Sequence, residues 1–144
     1  MTDTKAIHWR ILLASPPEKV FDFLDSQEGR EAFWAESAPE VKGRIVLRFF
    51  SGVSCNAKIL AIEPPSRFRF TYFSGSEVDI QLTADGRGGT ELMLSEAACP
   101  EHVWQENYAG WVAWLLMLKA AVDHGIDLRN RDAARPWTEL FVDG

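Results

Sequence analysis

The side chains whose types could do chemistry in this chain of 144 residues are three histidines, two cysteines and two neighbouring glutamates. His8, His102 and His124 are far apart in sequence, and no nucleophile motif such as G-x-S-x-G accompanies them. His8 alternates with apolar residues of a strand and should face outward. His102 stands near the start of a long helix. His124 stands near its end, where a cation interacts well with the helix dipole. Cys55 and Cys99 form no C-x-x-C, and no Cys/His spacing fits a zinc site. No sequence neighbour would obviously lower a thiol pKa, so both read as buried thiols, with a disulfide between them left to geometry. Glu91 and Glu96 are five positions apart. In a regular strand they point to opposite faces, which does not suit a two-carboxylate site. No catalytic residue, metal site or cofactor is assigned.

The aromatic residues are the stronger signal. Six Trp, nine Phe and two Tyr make up 12% of the chain. So many rings need a crowded core, a lined cavity or a partner surface. The residues expected to line a ligand site are Trp9, Phe49, Phe70, Tyr72, Trp104, Tyr108, Trp111 and Leu115. Any one of them can equally serve as core filling. Tyr72 and Tyr108 add hydroxyls that could fix the polar end of an apolar ligand.

The elements that must position these rings follow from periodicity. Ile7, Trp9, Ile11 and Leu13 alternate with His8, Arg10 and Leu12, predicting a strand over Ala6–Ala14. Ser15, Pro16, Pro17 and Glu18 read as a capping box with proline in the first turn of a helix. Val20, Phe21 and Leu24 supply its apolar stripe. A second short helix is expected from Gln27 to Trp34. From Gly43 the period changes to two. Strands are predicted around Ile45–Phe49, Val53–Ile62, Arg67–Phe73, Val78–Thr83 and Leu92–Leu94. Short turns at Ser51-Gly52, Pro64-Pro65, Ser74-Gly75 and Asp85–Gly89 join them into an antiparallel meander. Arg44, Arg48, Arg67 and Arg69 fall on the face opposite the aromatic rows.

Pro100 opens a long helix that ends at His124 with Gly125 as C-cap. Trp104, Tyr108, Trp111, Leu115, Leu118 and Val122 form one continuous bulky stripe. The other side has Ala109, Gly110, Ala113, Met117 and Ala120, so something should cover it too. The segment 126–144 ends with Trp137, Leu140, Phe141 and Val142. Leaving Trp137 and Phe141 in water would forfeit about 2 kcal/mol each. The segment should therefore dock on its own helix or on a second subunit, which makes a homodimer a separate expectation.

One strand, two short helices, five strands and a long helix give an α+β chain with a strongly curved sheet in a single domain, residues 1–144. The net charge of −6 argues against nucleic-acid binding. The acids Glu18, Asp22, Asp25, Glu28, Glu31, Glu36 and Glu40 outnumber Lys19 and Arg30, and read as a solvated helical face or a docking surface for a basic partner. The N-terminus lacks the apolar region of a signal peptide, and no apolar run reaches the roughly 20 residues of a membrane span. A soluble, cytoplasmic protein is expected.

Taken together, Ser15-Pro16-Pro17-Glu18-Lys19-Val20-Phe21, Phe33-Trp34, Ile62-Glu63-Pro64-Pro65 and Gly110-Trp111 with Leu115 and Leu118-Lys119 resemble the START/SRPBCC helix-grip superfamily. Within it, the chain resembles the branch of activators of the heat shock protein ATPase. The resemblance covers Ile7 to Gly125. It implies a sheet of about six strands curled around the last helix, with a cavity between them for a small apolar molecule. It also implies two other readings: a co-chaperone-like domain that contacts a chaperone ATPase, or a cyclase or hydrolase of a bulky apolar substrate. The superfamily has no shared catalytic motif to carry over.

Overall fold

The computed structural model describes residues 3–144. The chain runs β1 (Thr4–Leu13), α1 (Pro17–Asp25), α2 (Gln27–Phe33), β2 (Glu40–Val41), β3 (Arg44–Arg48), β4 (Ser54–Glu63), β5 (Arg67–Thr71), β6 (Glu77–Ala84), β7 (Thr90–Pro100) and α3 (Glu101–His124). The strands form one antiparallel sheet in the order β1-β7-β6-β5-β4-β3-β2. This is the helix-grip arrangement, with a seventh strand that the sequence reading did not include. That strand is two residues long and pairs Glu40 with Ile45 and Val41 with Arg44. Two residues are too few for a period-2 pattern to be seen.

The inner face of the sheet is apolar. Ile7 and Leu13 of β1, Ile45 and Leu47 of β3, Phe68 and Phe70 of β5, Val78 and Ile80 of β6, and Leu92 and Leu94 of β7 are buried. They pack against Trp111, Trp114, Leu115, Leu118 and Val122 of α3. The outer face is charged. There Arg67 makes a two-point contact with Asp79, at 2.7 and 3.1 Å, and Arg69 lies within 3.9 Å of both Asp79 and Glu77.

The start of α1 corrects one expectation. Pro16 is the N-cap and makes no side-chain capping bond. The Ser15 hydroxyl instead donates to Asp123 at 2.8 Å, across 108 residues. Asp123 also accepts from the Ala14 and Ser15 backbone N–H groups, at 2.8 and 3.1 Å. The last turn of α3 is thereby fastened to the end of β1. Ser26 does cap α2, accepting from Gly29 N–H at 3.0 Å. Gly29 is required there, because a Cβ would stand 2.4 Å from the Phe23 Cα. At that same end of α3, Gly125 adopts φ 65° and closes the helix as read from sequence.

Arg30 corrects another expectation. It is 2% exposed and does not belong to a solvated face. Its guanidinium donates to the carbonyls of Ala38, at 2.8 and 3.0 Å, and Leu24, at 3.0 Å. Those bonds lock α1, α2 and the following loop together. The position was legible: Arg30 lies three residues before Phe33, on the same helix face.

The free edge of β1 is stoppered by α3. Trp104 Nε1 donates to the Ala6 carbonyl at 3.2 Å, and Lys119 Nζ to the Leu12 carbonyl at 2.8 Å. Such side chains occupy backbone groups that an added strand would need.

After Gly125 the chain folds back over its own domain. Arg129 donates to the Glu31 and Ala35 carbonyls, within and just beyond the end of α2, at 2.7 and 2.9 Å. Trp137 Nε1 donates to Glu106 of α3 at 3.0 Å, and its ring passes Gly110, on the small-residue side of that helix. Leu140 and Val142 remain 90% and 69% exposed.

Candidate functional site

Between α3 and the sheet lies one charged side chain with no exposed surface, Glu96 of β7. Its Oε2 accepts from the Ser76 hydroxyl at 2.5 Å, and its Oε1 from Trp111 Nε1 at 2.9 Å. Asn107 Nδ2 lies 3.3 and 3.4 Å from the two oxygens. Ser76 follows the short 3₁₀ turn Phe73–Gly75, and Asn107 and Trp111 lie one turn apart on α3. Three separate local structures thus meet at one carboxylate. Among the described residues, no Lys, Arg or His is within 4.0 Å of it, so neutral donors alone hold it in the interior. An isolated charge there would be very costly, and donors of this kind are what make it tolerable.

The opposite-face reading of Glu91 and Glu96 holds, with a consequence the sequence reading did not draw. Glu96 continues the inward row Leu92, Leu94, Glu96 at spacing two, whereas Glu91 lies outward beside Arg10. The signal was present in the strand itself.

The eight expected lining residues divide into two groups. Phe70, Tyr72 and Trp111 belong to one cluster, in which Tyr72 lies 5.9 Å from Phe70 and 5.1 Å from Trp111 between ring centres. Trp34 and Trp114 complete it, 5.5 Å apart and perpendicular. Phe49 joins at the edge through Phe73. Leu115 is buried on the same helix. The second group is Trp9, Tyr108 and Trp104, stacked at 4.6 Å steps between β1 and the first half of α3. Trp9 also donates to the Tyr108 carbonyl at 3.3 Å. Among the described residues, no ring pair links the two groups. Trp34 and Trp114 are the members that sequence reasoning placed elsewhere or left out of the site.

Polar atoms in the first cluster are sparsely partnered. Tyr72 accepts from Trp34 Nε1 at 3.4 Å, and burial pushes its hydroxyl pKa well up. Trp114 Nε1–H is buried with no hydrogen-bond partner. Both thiols are free and buried. Burial pushes Cys55 up to about 11. It also raises Cys99, together with the nearby Glu96 charge, against the contact from Asn107. Neither is poised as a nucleophile. All three histidines are exposed. A hollow of about 450 Å³ is lined by His8, Arg10, Asp79, Gln81 and Met93. It lies on the outer sheet face, not beneath α3.

These features define a helix-grip domain with a single buried anionic centre in an aromatic interior. The chain belongs to the family of activator of Hsp90 ATPase homolog 1-like proteins, whose model matches residues 14–123. Its fold is similar to the Aha1 dimer from Colwellia psychrerythraea, at 22% identity and TM-score 0.76, covering 84% of this chain and 98% of that one. Protein SSP2350 from Staphylococcus saprophyticus is similar at 27% identity and TM-score 0.76, covering 87% and 96%. CalU16 from Micromonospora echinospora is similar at 20% identity and TM-score 0.68, covering 87% and 88%. No curated protein matches the chain. Among the described residues, no helix is long and apolar enough to cross a membrane.

Proposed function

We propose that the domain binds a small apolar molecule between α3 and the sheet, with the Glu96 centre holding the ligand's one polar end. The observation that carries this reading is the fully buried carboxylate with neutral partners, set beside the rings of Tyr72 and Trp111. An apolar interior needs no charge for packing, whereas a ligand site uses a few fixed polar groups to set orientation. A carboxylate accepts, so the ligand group it suits is an O–H or N–H donor. The rings of the first cluster touch one another, so binding must part them. The Trp9, Tyr108 and Trp104 stack then serves as support for α3 rather than as lining.

A thermal-shift screen tests this with fatty alcohols, sterols and phenols. A ligand at 100 times its Kd should add about 2.7 kcal/mol of stability. The shift should shrink for the same ligand lacking its hydroxyl. No shift from any of these classes would overturn the reading.

A second reading is supported by the acidic surface of α1, α2 and the segment leading into β2. Glu18, Asp22, Asp25, Glu28, Glu36 and Glu40 are exposed. This face suits a basic protein surface, as a co-chaperone-like domain would require. Charge reversal at Glu18 and Asp22 should abolish cross-linking to a chaperone ATPase if that is its partner. Pairing of two copies through the exposed Val112 and Leu116 of α3 is a further proposal, tested by sedimentation.

A further inference from the structure

We infer that the segment following α3 is a strap that closes the mouth of the interior site, fixed at one end by Arg129 and at the other by Trp137. This rests on the reading of that interior as a binding site.

The rim of the site is formed by the ends of several elements. The β3–β4 turn carries Phe49 and Phe50, and Phe49 touches Phe73 in the β5–β6 turn at 6.1 Å. Phe73 in turn packs on Tyr72 at 4.8 Å. The strap bridges this rim. On one side the Arg129 guanidinium, whose side chain is 5% exposed, donates to Glu31 and Ala35 carbonyls and lies 5.3 Å from the Phe50 ring centre. Arg131 lies at the same distance from Phe50. On the other side Trp137 reaches Glu106 and Gly110, directly before Trp111.

Both anchors are polar and local. They are polar contacts of a few side chains with main-chain carbonyls or an exposed carboxylate, not a continuous apolar seam. Leu140 and Val142, just past the second anchor, stay in water. A segment needed only for stability would be expected to bury them. Segments with few buried apolar contacts open at low free-energy cost, and binding-site lids are drawn from that class.

The test uses the full chain and its only two thiols, Cys55 and Cys99. Cys55 lies on β4 just after the β3–β4 turn, whereas Cys99 sits beside Asn107 under the start of α3. Labelling by a disulfide reagent is followed by peptide mass spectrometry in wild type, Arg129→Ala and Trp137→Ala. Association of the neutral apolar dye Nile red is followed in parallel by stopped flow. Releasing either anchor should speed Cys55 labelling about tenfold, the factor that about 1.4 kcal/mol of lost anchoring gives. Cys99 labelling should be unchanged, and dye association should accelerate by a similar factor. Unchanged Cys55 labelling and dye association in both variants would overturn the strap. So would equal acceleration at both thiols, which signals global loosening. Faster Cys55 labelling with no dye bound by any variant would uphold the strap and count against the binding function.

Discussion

The Trp111 indole N–H donates to the Glu96 carboxylate at 2.9 Å, and this bond joins the middle of α3 to the inner face of β7. With Asn107 on the same carboxylate, it ties the helix to the sheet by polar contacts inside a mainly apolar interior. Replacing Glu96 by Ala leaves the Trp111 donor without an acceptor, and leaves Ser76 and Asn107 only their weaker contacts to the Phe73 carbonyl and the Cys99 sulfur. Each orphaned buried donor costs about 1–3 kcal/mol. Glu96→Ala should therefore destabilise by about 3 kcal/mol or more in urea unfolding. Glu96→Gln, which keeps shape and one carbonyl, should cost less than half of that. Equal losses from the two variants would contradict this, because they would show that the retained shape and carbonyl satisfy none of the donors.

Arg30 should respond in a similar way, for a different reason. Its guanidinium satisfies two buried carbonyls from elements on either side of α2. Arg30→Met fills the volume but leaves those carbonyls unpaired, and a loss of about 2–4 kcal/mol is expected. Arg30→Lys should recover only part of it, because an ammonium cannot reproduce the fork. Full recovery by Lys in equilibrium unfolding would count against the geometry.

Ser15 separates two roles cleanly. As a helix cap it would act independently of α3. As a partner of Asp123 at 2.8 Å it should be coupled to it. Ser15→Ala and Asp123→Ala should each destabilise, and the double variant should cost less than the sum by about 0.5–2 kcal/mol. Strict additivity in that cycle would restore the cap reading.

Acid should loosen the segment after α3 before it unfolds the domain. Burial alone would raise the Asp127 carboxyl, but hydrogen bonds from Arg129 and Arg131 outweigh it and hold it at about 2, against an ordinary 3.8. The folded form therefore binds its proton less readily than the free segment does. Its contribution is complete above about pH 4 and is lost as pH falls from about 4 toward about 2. The Arg129 Nε–Hε resonance should report this, ordered at pH 5 and averaged at pH 2. An unchanged resonance at pH 2, with the domain still folded, would contradict it.

Much of the fold could be read from alternation and punctuation. The inward row Phe68 and Phe70 against the outward Arg67 and Arg69, the C-cap at Gly125 and the outward His8 all follow from period and turn chemistry. The site was less legible. Eight rings and aliphatics were grouped by strand and helix face, but periodicity says which face a ring occupies, not how far along the groove it lies. Trp9 and Trp111 share the interior face and still fall in different clusters. Glu96 could have been found by extending Leu92 and Leu94 by two positions. Ser15 could not, because its partner Asp123 is 108 positions away and local capping rules offered a nearer explanation.

The most direct test of the binding claim is the Trp111 indole proton. The six Trp indole N–H resonances can be assigned by single Trp→Phe variants in a ¹⁵N-labelled chain. Titration with an apolar alcohol that stabilises the protein should shift the Trp111 resonance with saturation at the same Kd. Binding beneath α3 predicts that Trp114 moves with it and that Trp9 does not. A ligand that saturates while moving only Trp9, Trp104 or Trp137, and leaves Trp111 unchanged, would contradict the account.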